Sequence, residues 1–342
     1  MKLQRPGKYK LYKGEKMNKM RKIGPWEIPP LGLGCMPLSG LPHTRLNMLD
    51  DREGALGVLH TALDAGVRFL DTADIYAAYW NQFGHNEILV GEAVRTWNGS
   101  VEEKKKIIVA TKGGITRGPK ESWGRAATKD YFLRAAEASA LRLGVEQIDL
   151  WQHHRLDPTL TFEDQFENTL VLKERGLVKH IGVSNYNAEQ LTKAIAIAGG
   201  GGDGGVVSVQ NERSPRYRRE SDVLQVCEAN GVAFLPWSPL GGVSRASEVG
   251  NGEYAASKEM AELKSVSPFA LTIAWHLHTS PSIIPIPGAT KNSSILDSLK
   301  GMDVELTVEE MAVLNASLPE NPGVPDDLFA QPSYRGIFNE EK

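Results

Sequence analysis

Four side chains of complementary chemistry, a carboxylate, a phenol, an ammonium and an imidazole, lie at or near the ends of three successive apolar runs. They are Asp71, Tyr76, Lys112 and His154, in FLDTADIY, IIVATK and IDLWQHH. Hydride delivered to a carbonyl leaves an alkoxide that must be protonated, and a tyrosine serves if its pKa falls from about 10 toward the working pH. Lys112 would supply the positive charge that lowers it, and Asp71 would pair with Lys112 and hold it in place. His154 would hydrogen-bond the substrate oxygen or relay a proton. Singly, each has a plainer use: the Asp as a helix cap, the Lys in solvent, the Tyr in packing. Adjacent His153 and His154 also suggest zinc. Consecutive strand residues face opposite sides, however, and no third or fourth ligand stands at metal spacing, so no metal is expected.

Each run is rich in Val, Ile, Leu or Phe and then turns polar, as a strand buried on both faces does when it delivers one functional residue to a rim. The chain alternates such runs with helical periods, starting with PLGLGCM and a helix in DREGALGVLHTALDAG. Further strand candidates are VRFLDT, IIVATK, IDLWQHH, HIGVSN, VVSVQ, VAFLPWS and IIPIPG, making eight with the first. Eight βα repeats favour a closed parallel barrel, an α/β TIM barrel, whose active site lies at the C-terminal ends of the strands. Helices are expected over Asn86–Thr96, Thr128–Leu143, Phe162–Glu174, Ala188–Ile197, Ser221–Ala229, Pro268–His278 and Ser293–Lys300. Asp50 with Glu53, and Thr307 with Glu310, read as helix-start pairs. The Thr307 helix falls after the eighth unit and is expected as an accessory element. The run AGGGGDGG at 198–205 reads as a surface loop, not a phosphate cradle, because no Lys-Ser/Thr follows.

The 342 residues carry 39 Lys+Arg against 42 Asp+Glu, a formal charge of −3 that gives no reason to expect a nucleic-acid partner. No apolar stretch reaches the roughly 18 residues needed to span a bilayer. Two cysteines, Cys35 and Cys227, and no signal-like segment suggest free thiols in a reducing cytoplasm. Residues 1–23 are basic and without period, and read as an extension ahead of a single domain at 24–342. Met17 or Met20 is an alternative first residue, which leaves the place of residues 1–16 in the native protein open.

Taken together, FLDTADIY, NEILVGEAV, VATKGG, LRLGVEQIDLWQHHRLD, GLVKHIGVSN, VSVQNE, FLPWSPLGG and IPIPGAT resemble the successive signatures of the aldo-keto reductase superfamily. The resemblance runs from about Pro30 to Leu299. It implies a TIM barrel that binds a nicotinamide cofactor without a Rossmann fold and reduces aldehydes or ketones. No GxGxxG opens a βαβ unit here, in keeping with that.

By this resemblance the catalytic residues are Asp71, Tyr76 as general acid, Lys112 and His154. Gly34, Cys35 and Met36 would face the cofactor, and Ser184, Asn185 and Gln210 would bind its carboxamide, for which their groups are suited. Trp237 would stack on the nicotinamide ring. Ser238, Leu240 and Gly241 would cover the pyrophosphate, while Gly288, Thr290, Lys291, Ser294, Asp297 and Ser298 would hold the adenosine phosphate at a helix N-terminus. The chain departs from the family in three places. Ala77 replaces the Gly that often follows the tyrosine, and the Arg near Ser294 and the Asn at Ser298 are absent. Lys291 is the cation in that loop able to read a 2′-phosphate, so NADPH is expected, with NADH left open. Trp80, Phe83, Trp123, Trp151 and Tyr217 are candidate pocket aromatics for a flat or apolar carbonyl, with core or lid packing as the alternative. The tail PENPGVPDDLFAQPSYRGIF would fold over the mouth. A looser resemblance points to the pyridoxal and sugar-aldehyde branches. An NAD-linked alcohol or sugar dehydrogenase and a cofactor-sensing regulatory subunit are the alternatives to a carbonyl reductase.

Overall fold

The computed structural model describes residues 20–40, 51–202, 204–218, 221–242, 246, 249, 251 and 254–318. The first nineteen residues and the tail expected over the mouth lie outside them, as does Asp50.

The first element is a hairpin, β1 (Arg21–Ile23) and β2 (Trp26–Ile28), joined through a Gly-Pro turn. It begins inside the stretch read as an extension, so the folded unit starts three residues earlier than expected. Then come β3 (Leu33–Gly34), α1 (Arg52–Asp64), β4 (Phe69–Asp71), α2 (His85–Thr96), the short α3 (Val101–Lys104) and β5 (Ile108–Gly113). A second hairpin, β6 (Ile115–Gly118) and β7 (Ser122–Arg125), interrupts the repeat before α4 (Lys129–Leu143). The repeat resumes with β8 (Ile148–His153), α5 (Phe162–Glu174), β9 (Val178–Ser184), α6 (Ala188–Ala198), β10 (Val206–Gln210), α7 (Ser221–Asn230) and β11 (Ala233–Phe234). The last helices are α8 (Ala255–Leu263), α9 (Pro268–Thr279), α10 (Asn292–Lys300) and α11 (Val308–Ser317).

Seven strands pair in parallel in the order β3, β4, β5, β8, β9, β10, β11. The eighth expected strand, IIPIPG, closes the ring without a regular ladder, because Pro285 and Pro287 have no N–H. The N–H groups of Ile284 and Ile286 donate to Phe234 and Pro236 on one side. Its carbonyls at Pro285 and Pro287 accept from Gly32 and Gly34 on the other. Gly34 is required at this seam, since a Cβ there would lie 2.8 Å from the Ile286 oxygen. The result is a TIM barrel.

Helix ends follow the expected chemistry with small shifts. Asp51, not Asp50, caps α1 by accepting from the Gly54 N–H. Thr307 and Glu310 form a reciprocal capping box on α11. Gly144 ends α4 in the left-handed conformation, φ 73°. The glycine run follows the end of α6, as a loop. Among the described residues no helix is long and apolar enough to cross a membrane.

Strand alternation sorts the core into two shells. Phe69, Ile108, Ala110, Leu150, Val207, Ala233, Leu235, Ile284 and Ile286 fill the barrel, with Ile23 and Ile28 of the hairpin packed among them. Their neighbours Leu70, Trp151 and Ile181 face outward and pack under the helices with Val58, Leu59, Phe132 and Leu143.

Candidate active site

Continuing each inward row by two residues changes its chemistry. Phe69 is followed by Asp71, Ala110 by Lys112, and Leu150 by Gln152 and then His154, all buried. Lys112 is wholly buried and spends its three N–H donors on Asp71 Oδ2 (2.7 Å), the Thr72 carbonyl (2.9 Å) and Tyr76 Oη (3.0 Å). The ammonium therefore ties the acid to the phenol. Its pKa rises: burial works against the charge, but Asp71 and Tyr76 outweigh it.

The tyrosine departs from the expectation. Burial pushes its pKa up, and the opposing pull of Lys112 does not fully offset it, so Tyr76 is held as a phenol with a proton to give. His154 stands edge-on to it, with ring centroids 6.0 Å apart. Burial, then the charges of Lys112, Arg155 and Arg125, drive the His154 pKa well below its ordinary value, so the imidazole is neutral. His153, on the opposite face, contacts Tyr186 Oη at 2.9 Å and packs edge-on to Phe132. It belongs to the outer shell.

Asp71 is held from its other oxygen by two amides. Oδ1 accepts from Gln210 Nε2 at 2.7 Å and from Gln152 Nε2 at 3.3 Å. A carboxylate only accepts, so the Gln210 amide is fixed with its nitrogen inward and its Oε1 left to face an incoming N–H. Asn185 is fixed likewise. Its nitrogen donates to the His154 carbonyl (3.1 Å) and Ser184 Oγ (3.0 Å), and its oxygen accepts from Trp237 Nε1 (3.3 Å). Asn185 adopts φ 59°, a left-handed turn that Asn tolerates, which swings it over the end of β9.

These groups line one cleft at the barrel mouth. Asp71, Tyr76, His154, Ser184, Asn185, Gln210, Trp237, Ser238, Leu240, Gly34, Met36 and Gly288 all border it, as do Ile75, Ile115, Arg155 and Pro239. The His276 ring donates from Nε2 to the Pro239 carbonyl (3.0 Å) and so anchors the Ser238–Leu240 loop. Gly241 continues that loop in a positive-φ turn, φ 92°. The Gln210 oxygen so oriented and the Trp237 plane at one end suit the amide N–H and flat ring that a nicotinamide presents.

Other expected site residues lie elsewhere. Cys35 is buried among outward-facing residues and does not border the cleft. Trp151 is fully buried against Phe132, because it alternates with the inward Leu150 and Gln152. Tyr217 is buried in the loop after β10, and Trp80 is 39% exposed; neither borders the cleft. Phe83 and Trp123 pack behind the wall, against Ala73, Ile75, Ile115 and Tyr76. The apolar wall is instead Ile75, Ile115, Met36, Pro37 and Ile286. Thr290, Lys291 and Ser294 lie beyond the cleft around the start of α10, and Asp297 and Ser298 in its second half. Lys291 and Ser294 are exposed there, Ser298 is buried, and Asp297 is engaged by Ser267 and by Lys300 at 3.3 Å.

Asn86 braces the cleft from behind without bordering it. Its amide donates to the Cys35 carbonyl and Ser39 Oγ and accepts from Thr72 Oγ1, at 2.7–2.8 Å, fastening the Met36–Ser39 turn to α2 and β4. Its place beside Glu87 in NEILVGEAV was the available signal.

The Aldo/keto reductase family pattern matches residues 30–318, most of the chain. The chain belongs to the aldo/keto reductase family. It is 32% identical over 294 residues to an uncharacterized oxidoreductase of Schizosaccharomyces pombe, covering 86% of this chain and 88% of that one. To a probable aldo-keto reductase of Glycine max it is 28% identical over 319 residues, covering 86% of each. Among solved structures it is similar to a thermostable aldo-keto reductase in complex with the inhibitor epalrestat, with TM-score 0.70 and 25% identity over 87% of this chain and 99% of that one. A Klebsiella pneumoniae aldo/keto reductase in complex with NADP and acetate gives TM-score 0.71 at 22% identity, covering 88% of this chain and 95% of that one. This aldo-keto reductase is accordingly an oxidoreductase acting on small molecules.

Proposed function

We propose that the protein reduces an aldehyde or ketone to the alcohol with NADPH, Tyr76 acting as general acid. The observation that carries this is the Lys112 ammonium, buried and bonded at once to Asp71 and to the Tyr76 hydroxyl at the edge of the cleft. A reduced nicotinamide, when bound, supplies hydride. Everything else falls to the chain's own residues. Tyr76 holds a phenolic proton, and once that proton leaves, the oxygen rests 3.0 Å from a fixed positive charge. A neutral His154 can donate one N–H to the substrate oxygen without competing as an acid. Gln210 Oε1 and Asn185 would receive the carboxamide, with Trp237 beneath the ring. The apolar wall of Ile75, Ile115 and Met36 suits an uncharged carbonyl compound.

NADPH over NADH is supported by Lys291, an exposed cation at the start of α10. The Klebsiella aldo/keto reductases solved with NADP and with NADPH agree with that choice. The test is oxidation of NADPH and NADH against aromatic aldehydes, pyridoxal, sugar aldehydes and ketones. Faster turnover with NADPH on a carbonyl is expected. Cofactor binding with no turnover on any carbonyl would overturn the reading, and NAD-linked alcohol oxidation as the faster reaction would replace it with the dehydrogenase.

A further inference from the structure

Residues 72–79, which carry Tyr76, form no helix or strand, yet each backbone carbonyl from Asp74 to Ala78 is engaged. The Asp74 oxygen accepts from the Gly84 N–H at 2.6 Å, and the Tyr76 oxygen from the Asn86 N–H at 3.2 Å. The other three go to one side chain. Arg117 Nη1 donates to Ile75 O (3.0 Å) and Ala77 O (2.8 Å), and Nη2 reaches Ala78 O at 3.4 Å. A guanidinium thus grips the residues immediately before and after the phenol.

Arg117 is itself built in. Its side chain is 1% exposed, lies over the Trp123 ring at 4.6 Å and is ion-paired to Glu121. Glu121 also accepts from the Trp80 N–H at 2.8 Å, which fastens the far end of the same loop. The turn that presents Glu121 holds two consecutive non-glycine residues, Lys120 and Glu121, at φ 59° and 56°. Such backbone costs on the order of 1–3 kcal/mol per residue and persists where surrounding contacts over-determine it. Arg117 does not border the cleft, and these hydrogen bonds go to backbone carbonyls and to Glu121, not to Asp71, Tyr76, Lys112 or His154.

We propose that Arg117, carried on the β6–β7 hairpin, is a positioning residue for the general acid, holding Tyr76 Oη at its distance from Lys112 by bonding the carbonyls on either side. This rests on Tyr76 as the proton donor. Nη1 bonds the two flanking carbonyls while Nη2 holds Ala78 O and Glu121, so a lysine at 117 keeps the charge and loses the second arm of the grip. Misplacement of a reacting group by about 1 Å can cost on the order of 100-fold in rate.

The experiment is a double-mutant cycle on kcat with NADPH and 4-nitrobenzaldehyde, using Arg117→Met, Tyr76→Phe and the double variant, with NADPH Kd measured by fluorescence quenching. Arg117→Met is expected to lower kcat roughly 10- to 100-fold in the wild-type background, by no more than about 2-fold in the Tyr76→Phe background, and to leave NADPH Kd within about 2-fold. Arg117→Lys serves if the Met variant fails to fold, with a similar though smaller loss. Alcohol oxidation gives a second readout: with Tyr76 farther from Lys112 the phenol pKa rises, so the acid limb of the pH profile moves to higher pH. Losses that simply add in the double variant, or an unshifted limb, would overturn the positioning role alone. A Tyr76→Phe enzyme as fast as wild type would overturn the function proposed above and this inference with it.

Discussion

Ile108 and Lys112 stand four residues apart on one strand, both directed into the barrel, and they do opposite work. Ile108 packs with Phe69, Leu150 and Leu235 above the N-terminal hairpin, where the interior is dry and apolar. Lys112 sits at the mouth among Asp71, Tyr76 and Thr72, whose oxygens partner its buried charge. The lower layer stabilises the fold through burial alone. The upper layer holds an ion pair whose desolvation roughly cancels its attraction, so it contributes chemistry more than stability.

Substitutions in the two layers should therefore separate. Lys112→Met removes the charge beside Tyr76 and leaves Asp71 buried without a counter-ion. Turnover should fall about 10²- to 10⁴-fold and unfolding stability by about 3–5 kcal/mol, checked by steady-state kinetics and urea titration. Leu150→Ala, one step below Gln152, should cost about 2–5 kcal/mol in the same titration, while the folded enzyme keeps kcat within about 2-fold. A large kcat loss there would break the division. Farther out, Lys291→Ala should weaken NADPH about 10-fold and NADH little, measured as separate dissociation constants, since a charged hydrogen bond is worth about 1.5–3 kcal/mol. Equal effects would mean that the 2′-phosphate is read elsewhere.

A smaller contrast concerns pH. His276, buried behind the cleft loop, has its pKa driven down to about 3 by burial, against an unfolded value of about 6.5. The unfolded chain then binds the extra proton, so stability is present above about pH 6.5 and is lost as pH falls. Asp74, whose buried carboxyl is raised well above its ordinary value, acts in the opposite direction. His276→Gln should flatten the stability profile between about pH 6 and 4 by about 1.4 kcal/mol per pH unit. An unchanged slope in urea titrations at those pH values would remove His276 from the account.

Much of this was legible in the chain because strand alternation is a strict rule. The same parity that separates His154 from His153 also turns Trp151 away from the cleft and against Phe132, although it lies three residues from His154. Seven strands and the helix ends followed from pattern, but IIPIPG could not show that its two prolines would close the ring by alternate bonds to both neighbours. The hairpins were hidden by length: three or four residues per strand leave too few alternations to read. Tyr76 was expected with a lowered pKa because Lys112 was visible in the sequence and the depth of burial was not. Arg117, Gln152 and Asn86 act through carbonyls and amides brought together from distant positions, which no local spacing encodes.

The measurement that bears most directly on the account is single-turnover NADPH oxidation by the Tyr76→Phe variant beside wild type, with cofactor affinity determined on both. Removal of one hydroxyl is predicted to slow hydride transfer to an aldehyde about 10²- to 10⁴-fold while leaving NADPH Kd within about 2-fold. A rate equal to wild type, or a variant that no longer binds NADPH, would contradict the assignment of the proton donor at the barrel mouth.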